Sequence, residues 1–536
     1  MALKKRIMIL GAGVMQGPAL KIARNMGLET VAVDADPEAP SIPLADRFEK
    51  IDLKDKQGIE AFARSLKDAG GLAGIMTAGT DFSGAVAWTA EKLGLPGIPH
   101  ETALDASDKE RMRRRFKEAG VPSPEFIILR EVPQVNFPLP FDFPVVVKPV
   151  DNMGSRGCRL VNDGADLAQA VTDALKFSRS GRAIVEEYMD GPEFSVDAIV
   201  FQGEVTICGL ADRHIFFPPY FIEMGHTMPS NIDPQKADAL LDVFRAGVKA
   251  LGITLGAAKG DIKLSSRGPM IGEIAARLSG GYMSGWTYPY ASGVEPTAGA
   301  IMACIGERPR NLAPVKSWTS AERAFISIPG KVRSIHGIDE AKNMPFVKDI
   351  FLRAAPGDRL RFPENNVSKG GNVISAAPTR TEAVKAAEKA ARNILIPLEN
   401  PDEETARFLA ISPSPTPRFP PDAFCLPPEL YPLLESLPDK APVVWMAAPA
   451  ASAASIEELS ILPFPEFTAP GFTDYTGRSV EESLEAVRLL SGCPLPLNSA
   501  GTAVLGRRFW TALIRGGYQG ALYIVDSVIR QKRGGA

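Results

Sequence analysis

An α/β and α+β multidomain chain is expected from three features of the sequence. Strand-like and helix-like segments alternate through the first hundred residues, hairpin-like strands dominate residues 126–280, and 536 residues are too many for one hydrophobic core. The composition is that of a folded protein, with 45% hydrophobic and 23% charged residues. A net charge of −3 argues against a nucleic-acid partner, which a basic excess would announce. The five cysteines (Cys158, Cys208, Cys304, Cys425 and Cys493) are scattered with no CxxC pair, so neither a zinc site nor a disulfide framework is expected. "MALKK" leads straight into a strand without a signal-peptide pattern, and no apolar run reaches the roughly 18 residues of a membrane span. A cytoplasmic protein with no membrane partner is the expectation.

Residues 1–103 open the chain. "RIMIL" reads as a strand buried on both faces, "GPALKIARNMG" as an amphipathic helix ending at Gly27, and "ETVAVD" as a second strand. "GIEAFARSLKDAG", "GLAGIMTA" and "SGAVAWTAEKLG" continue as helix, strand and helix, the signature of a parallel sheet with covered faces. Between the first strand and helix lies Gly11-Ala12-Gly13-Val14-Met15-Gln16-Gly17. A dinucleotide turn wants G-x-G-x-x-G, and here three residues separate the last two glycines. Asp34 ends the next strand where a ribose-binding acid would stand, so an NAD-dependent oxidoreductase stays among the alternatives.

"SDKERMRRRFKEAG" is a capped, charged helix leading to the proline-marked "VPSPEF". Strands then follow one another: "FIILR", "FPVVVKPV", "CRLV", "RAIVEEYM", "FSVDAIV", "EVTICGLA", "AAKGDIKLSS" and "PMIGEIAARL", with one helix at "KADALLDVFRAGVKALG". Lys148 ends an apolar strand and precedes the small-residue loop Gly154-Ser155-Arg156-Gly157, a pairing that can hold polyphosphate or be a plain hairpin with a surface lysine. "VEEYMDGPE" places Glu186, Glu187, Tyr188 and Met189 at a strand end and Glu193 beyond a turn. A purine hinge with an acid for ribose hydroxyls needs these types; ordinary hairpin acids are the alternative.

Alternation puts Asp261 and Lys263 on one face of a strand, and Glu273 and Arg277 on one face of the next. The turn "SSRGP" joins the two as a hairpin that could set Asp261 beside Glu273. Paired carboxylates repel unless a cation such as Mg²⁺ lies between them, and Arg277 would face an anion; a cross-strand salt-bridge cluster is the plainer reading.

In this order the segments resemble the ATP-grasp superfamily over about three quarters of the chain. The resemblance implies a Rossmann-like pre-ATP-grasp domain (1–103), an ATP-grasp domain (104–310, with a mobile lid at about 117–190) and a C-terminal cap (311–400). The proline-dense stretch 401–442 reads as a linker, and 443–536 as an accessory α/β-like domain. Carried over residue by residue, Lys109 and Lys148 match the ATP lysines and Gly154, Ser155 and Gly157 the phosphate loop. Glu186, Glu187, Tyr188 and Met189 match the adenine hinge, Glu193 the ribose acid, and Asp261 and Glu273 the metal carboxylates. Arg277 matches the arginine that steadies the phosphoryl group.

Many members carry Asn two residues after the second metal acid; this chain has Ala275, giving "EIAAR". That departure, with "PYFIEMGHTMPSNI", resembles the L-amino-acid ligase branch. It implies Glu223 and His226 near substrate, with His226 catalytic or merely a loop histidine, and Ser279 and Gly280 at the substrate pocket. The implied cofactors are ATP and Mg²⁺, with Mn²⁺ as a substitute. The implied reaction joins a small carboxylate to an amine through an acyl phosphate, releasing ADP and phosphate, and a homo-oligomer is among the partners the resemblance allows. A bicarbonate-activating enzyme like biotin carboxylase or carbamoyl phosphate synthase is the runner-up, and a non-catalytic nucleotide sensor a further alternative.

Overall fold

The computed structural model describes residues 4–134, 137–438, 459–469, 471–497 and 505–534. The chain divides into two compact units, Met1–Glu322 with Ile374–Val384, and Arg323–Val373 with Lys385–Ala536.

The first unit begins with a parallel sheet of β1 (Arg6–Leu10), β2 (Glu29–Asp34), β3 (Arg47–Lys50) and β4 (Leu72–Thr77), in the order β3-β2-β1-β4. Helices cover both faces, which is why β1 is apolar at successive positions. Ile7 and Ile9 pack with Leu20 and Ile301, and Met8 and Leu10 with Ile59 and Leu66 on the opposite side. The glycine turn after β1 is not a dinucleotide cradle. Gln16 is 2% exposed, and a Cβ on Gly11 would meet its Cδ at 2.9 Å. Asp34 Oδ2 accepts from the Ala12 amide at 2.7 Å, so the acid braces the turn. The extra residue in the motif brings in Gln16, whose side chain fills the space beside the glycines.

Two antiparallel sheets follow. The smaller contains β5 (Phe126–Leu129), β6 (Val145–Pro149), β7 (Arg159–Val161) and β8 (Ala183–Glu187) in the order β5-β8-β6-β7. Helix Leu167–Phe177 packs on it through Leu167, Ala170, Val171 and Ala174. The larger is built from β9 (Glu193–Phe201), β10 (Glu204–Phe216), β11 (Ile222–Met228), β12 (Leu255–Ser265) and β13 (Gly268–Ala275). It runs β13-β12-β9-β10-β11 and continues into β14 (Thr319–Phe325). Helix Pro234–Ala250, capped by Asp233, buries Leu240, Phe244 and Val248 against Ile262, Ile271 and Ile274 of this sheet.

The second unit contains the short antiparallel pair β15 (Gly330–Lys331) and β17 (Arg359–Leu360), with β16 (Val347–Leu352) between them in sequence; β18 (Gly371–Ala377) spans the division between units. The proline-dense stretch read as a linker is folded where it is described. It carries helices Glu403–Leu409 and Tyr431–Ser436, and Phe424, Leu426 and Leu434 join a core with Phe464, Phe467 and Trp510. Proline favours extended chain, but the apolar residues between the prolines supply enough surface to bury that chain. Residues 439–442 of the expected linker, and 443–458, 470, 498–504 and 535–536 of the expected accessory domain, lie outside the described residues. The described remainder of that domain has helix Val480–Ser491 and a helical run Arg507–Gly534 broken at Gly517, and isolated bridges pair Ile461 with Leu497 and Leu505. Among the described residues no helix is long and apolar enough to cross a membrane.

Candidate active site

One face of the larger sheet carries the charge, in rows set by register. Glu193 on β9 pairs with Lys263 on β12 and with Arg213 on β10, and Arg213 pairs in turn with His226 on β11. One step along, Ser195 pairs with Asp261, and Asp261 with Glu273 on β13. The next row is Asp197, Lys259 and Ala275. Side chains two apart on a strand share a face, so these rows lie side by side. The expected neighbourhood of Asp261 and Glu273 is present.

Both carboxylates are held ionised. Burial opposes charge on Asp261, but the Arg213 guanidinium and Lys259 ammonium outweigh it and keep its pKa below the usual range. Asp261 also accepts from Ser195 Oγ at 2.7 Å. Glu273 is likewise lowered against burial, by Lys109 and Lys259. Two ionised oxygen donors on adjacent strands suit a hard cation such as Mg²⁺.

The lysines approach from other elements. Lys109 opens helix Lys109–Ala119, whose cap is Asp108. Its ammonium donates to the Asn152 carbonyl at 2.9 Å and lies 3.5 Å from Glu273 Oε2. Burial works against that charge, yet Glu273, Asp81 and Glu186 hold its pKa above the ordinary lysine value. Lys148 on β6 reaches Glu186 Oε2 on β8 at 2.6 Å, and Arg113 reaches Oε1 at 2.9 Å. Glu186, expected on the hinge, therefore turns its side chain into a buried ion cluster. Between β6 and β7, Gly154, Ser155 and Gly157 all have positive φ (+69°, +59° and +69°), so the loop turns sharply.

Glu187 pairs with Arg267 at 2.8 Å, and the Met189 carbonyl accepts from Lys263 Nζ at 2.8 Å. The same ammonium lies 4.9 Å from the centre of the Tyr188 ring. Glu193 accepts from Arg213, which also donates to Glu223 Oε2 at 2.6 Å. His226, 1% exposed, has Nδ1 at 2.8 Å from Glu322 Oε2 and Nε2 at 3.4 Å from Glu223 Oε2. Burial disfavours its charge, but the two carboxylates raise its pKa to about 9.

Arg277 follows β13 and donates to the Leu278 carbonyl at 3.0 Å. The Ser279 amide donates to Ser284 Oγ at 2.8 Å. Gly280 lies against Gly79 so closely that a Cβ would come within 3.1 Å of its backbone. The β4 loop thus meets the 278–280 segment, and an Ala78–Leu278 bridge fixes it there.

Sequence reasoning passed over Arg113, Arg213, Lys259, Asp81, Asp197 and Glu322. Lys259 had a signal, since alternation in "KGD" puts it on the face of Asp261. Arg213 and Glu322 had none, because cross-strand register is not written in one strand.

Two family profiles match the chain: "ATP-grasp domain" over residues 141–285 and "L-amino acid ligase C-terminal domain 2" over residues 324–399. The chain carries an ATP-grasp domain and an L-amino acid ligase C-terminal domain. Among solved structures, this ATP-grasp chain resembles an L-amino acid ligase from Bacillus licheniformis, with a TM-score of 0.65 and 20% identity over 75% of this chain and all of that one. Among relatives, the uncharacterized protein y4rH of Sinorhizobium fredii is 26% identical, over 70% of this chain and 79% of that protein. Carnosine synthase 1 of Gallus gallus is 25% identical over 62% of this chain, which spans only 38% of that longer protein.

Proposed function

We propose that the chain is an ADP-forming carboxylate–amine ligase making an amide or peptide bond through an acyl phosphate. The observation that carries this reading is the convergence of Lys109 and Arg213 on Glu273 and Asp261, paired across β12 and β13. The likeness to an L-amino acid ligase and to carnosine synthase 1 supports an amino acid among the substrates.

In this reading Lys109, Lys148 and the 154–157 loop hold the phosphates, the 187–189 segment meets the base and Glu193 the ribose. Asp261 and Glu273 would hold Mg²⁺, or Mn²⁺ in its place, which neutralises phosphate charge. A carboxylate oxygen of the acid substrate attacks the γ-phosphorus, the bond to the bridging oxygen breaks, and ADP leaves. Arg277 faces the migrating phosphoryl group as a fixed cation. The amine nitrogen then attacks the acyl carbon, phosphate departs with the C–O electron pair, and the nitrogen sheds a proton to give the amide. No nucleophilic serine or cysteine is needed; burial pushes the Cys158 thiol beside the loop up to about 11, keeping it protonated. Glu223, His226, Ser279 and Gly280 border the space left for the acid and amine.

Pools of carboxylic acids and amines, screened for ADP release with wild type and Lys148→Ala, test this. ADP requiring both an organic acid and an amine is expected. AMP release, or no ADP with any pair, would sink the reading; ADP release with bicarbonate alone would move it to the bicarbonate-activating class.

A further inference from the structure

Lys259 stands beside the two carboxylates proposed to hold Mg²⁺. It faces Ala275 directly across the β12–β13 ladder, at the position where Asn is common after the second metal acid. On its other side it pairs with Asp197 of β9. Its ammonium touches Asp261 Oδ2, and its charge also bears on Glu273 and Asp197. Three carboxylates therefore surround one lysine head, which is largely buried. The short Ala275 side chain leaves room for the long one opposite, and no oxygen ligand stands there.

We propose that the Lys259 ammonium replaces one of the two divalent ions that a paired-carboxylate ATP site can take, so this chain binds its nucleotide with a single one. The inference rests on the ligase reading above and adds to it. An ammonium cannot share the Asp261 oxygen it contacts with a second divalent ion, because like charges at that distance repel strongly. One divalent ion then belongs to the Glu273 side, where phosphate oxygens complete its shell. Asp261 gives one oxygen to Lys259 and the other to Ser195 and Arg213.

The number of ions is counted directly by equilibrium dialysis of the full chain with Mn²⁺ and a non-hydrolysable ATP analogue, measuring bound Mn²⁺ and bound nucleotide together. Wild type is expected to retain one Mn²⁺ per nucleotide. The double variant Lys259→Met/Ala275→Asn, which removes the ammonium and supplies the missing oxygen, is expected to retain two. Two ions per nucleotide in wild type would overturn the inference while leaving the ligase reading intact, as would one ion in the folded double variant. Absence of bound nucleotide would overturn both. Circular dichroism checks that the double variant folds, and the wild-type count decides alone if it does not.

Discussion

Lys148 Nζ lies 2.6 Å from Glu186 Oε2, and the other oxygen of that carboxylate meets Arg113 Nε at 2.9 Å. A carboxylate that is 2% exposed thus orients Lys148, proposed above to hold phosphate, from behind. Its pKa stays below the usual range because Arg113 and Lys148 outweigh the cost of burial. Lys148→Ala removes the charge proposed to face phosphate while Arg113 still compensates Glu186, so the fold should survive. A lost charge-assisted hydrogen bond of about 1.5–3 kcal/mol corresponds to roughly 10- to 100-fold weaker nucleotide binding. Titration with a fluorescent ATP analogue measures it, and unchanged affinity would remove Lys148 from the site.

Arg213 holds Glu193, Glu223 and Asp261 together, and their carboxylates raise its pKa despite burial. Arg213→Met leaves three acids facing one another with a cation gone. Breaking a buried ion cluster in this way costs about 3–5 kcal/mol. Arg213→Lys should recover only part, because a point charge cannot serve three carboxylates as a planar fork does. Urea denaturation of the three proteins gives the order; a methionine variant as stable as wild type would show that the cluster contributes nothing.

Much of the site was legible because it is local. The strand alternation in "KGDIK" and the turn "SSRGP" were enough to expect Asp261 beside Glu273, and the register pairs them. Lys148 and its loop were readable from an apolar strand running into small residues. The inward turn of Glu186 was not, because it depends on Arg113, whose helix is distant in sequence. Nor was the Gln16 filling of the glycine turn, which needs the folded βα unit to bring the side chain back. In the second unit, composition misdirected. Proline density concealed Phe424 and Leu434, whose burial depends on residues after 459.

Phe424 tests that correction. It is 1% exposed and packs edge-on to Phe467, at 5.4 Å between ring centres. Phe424→Ala should cost about 3–5 kcal/mol, as for large-to-small changes in cores. Limited proteolysis should then cut within residues 412–438 where wild type resists. Equal stability and equal cleavage would return this stretch to the status of a linker.

His226 sets a pH dependence with a definite sign. Its imidazole lies between Glu322 and Glu223, and these carboxylates, working against burial, raise its pKa from 6.5 to about 9. The folded protein therefore binds this proton more tightly than the unfolded chain. The stabilisation, on the order of a few kcal/mol, is complete below pH about 6.5 and is lost as pH rises through about 9. His226→Gln keeps a side chain that can hydrogen-bond but has no proton to lose in this range. Melting temperatures across pH 6 to 10 should fall for wild type and run flatter for the glutamine variant, with the variant lower at neutral pH. Parallel curves would mean that His226 is neutral in the folded protein, and the charge of the pocket beside Glu223 would then have to be assigned again.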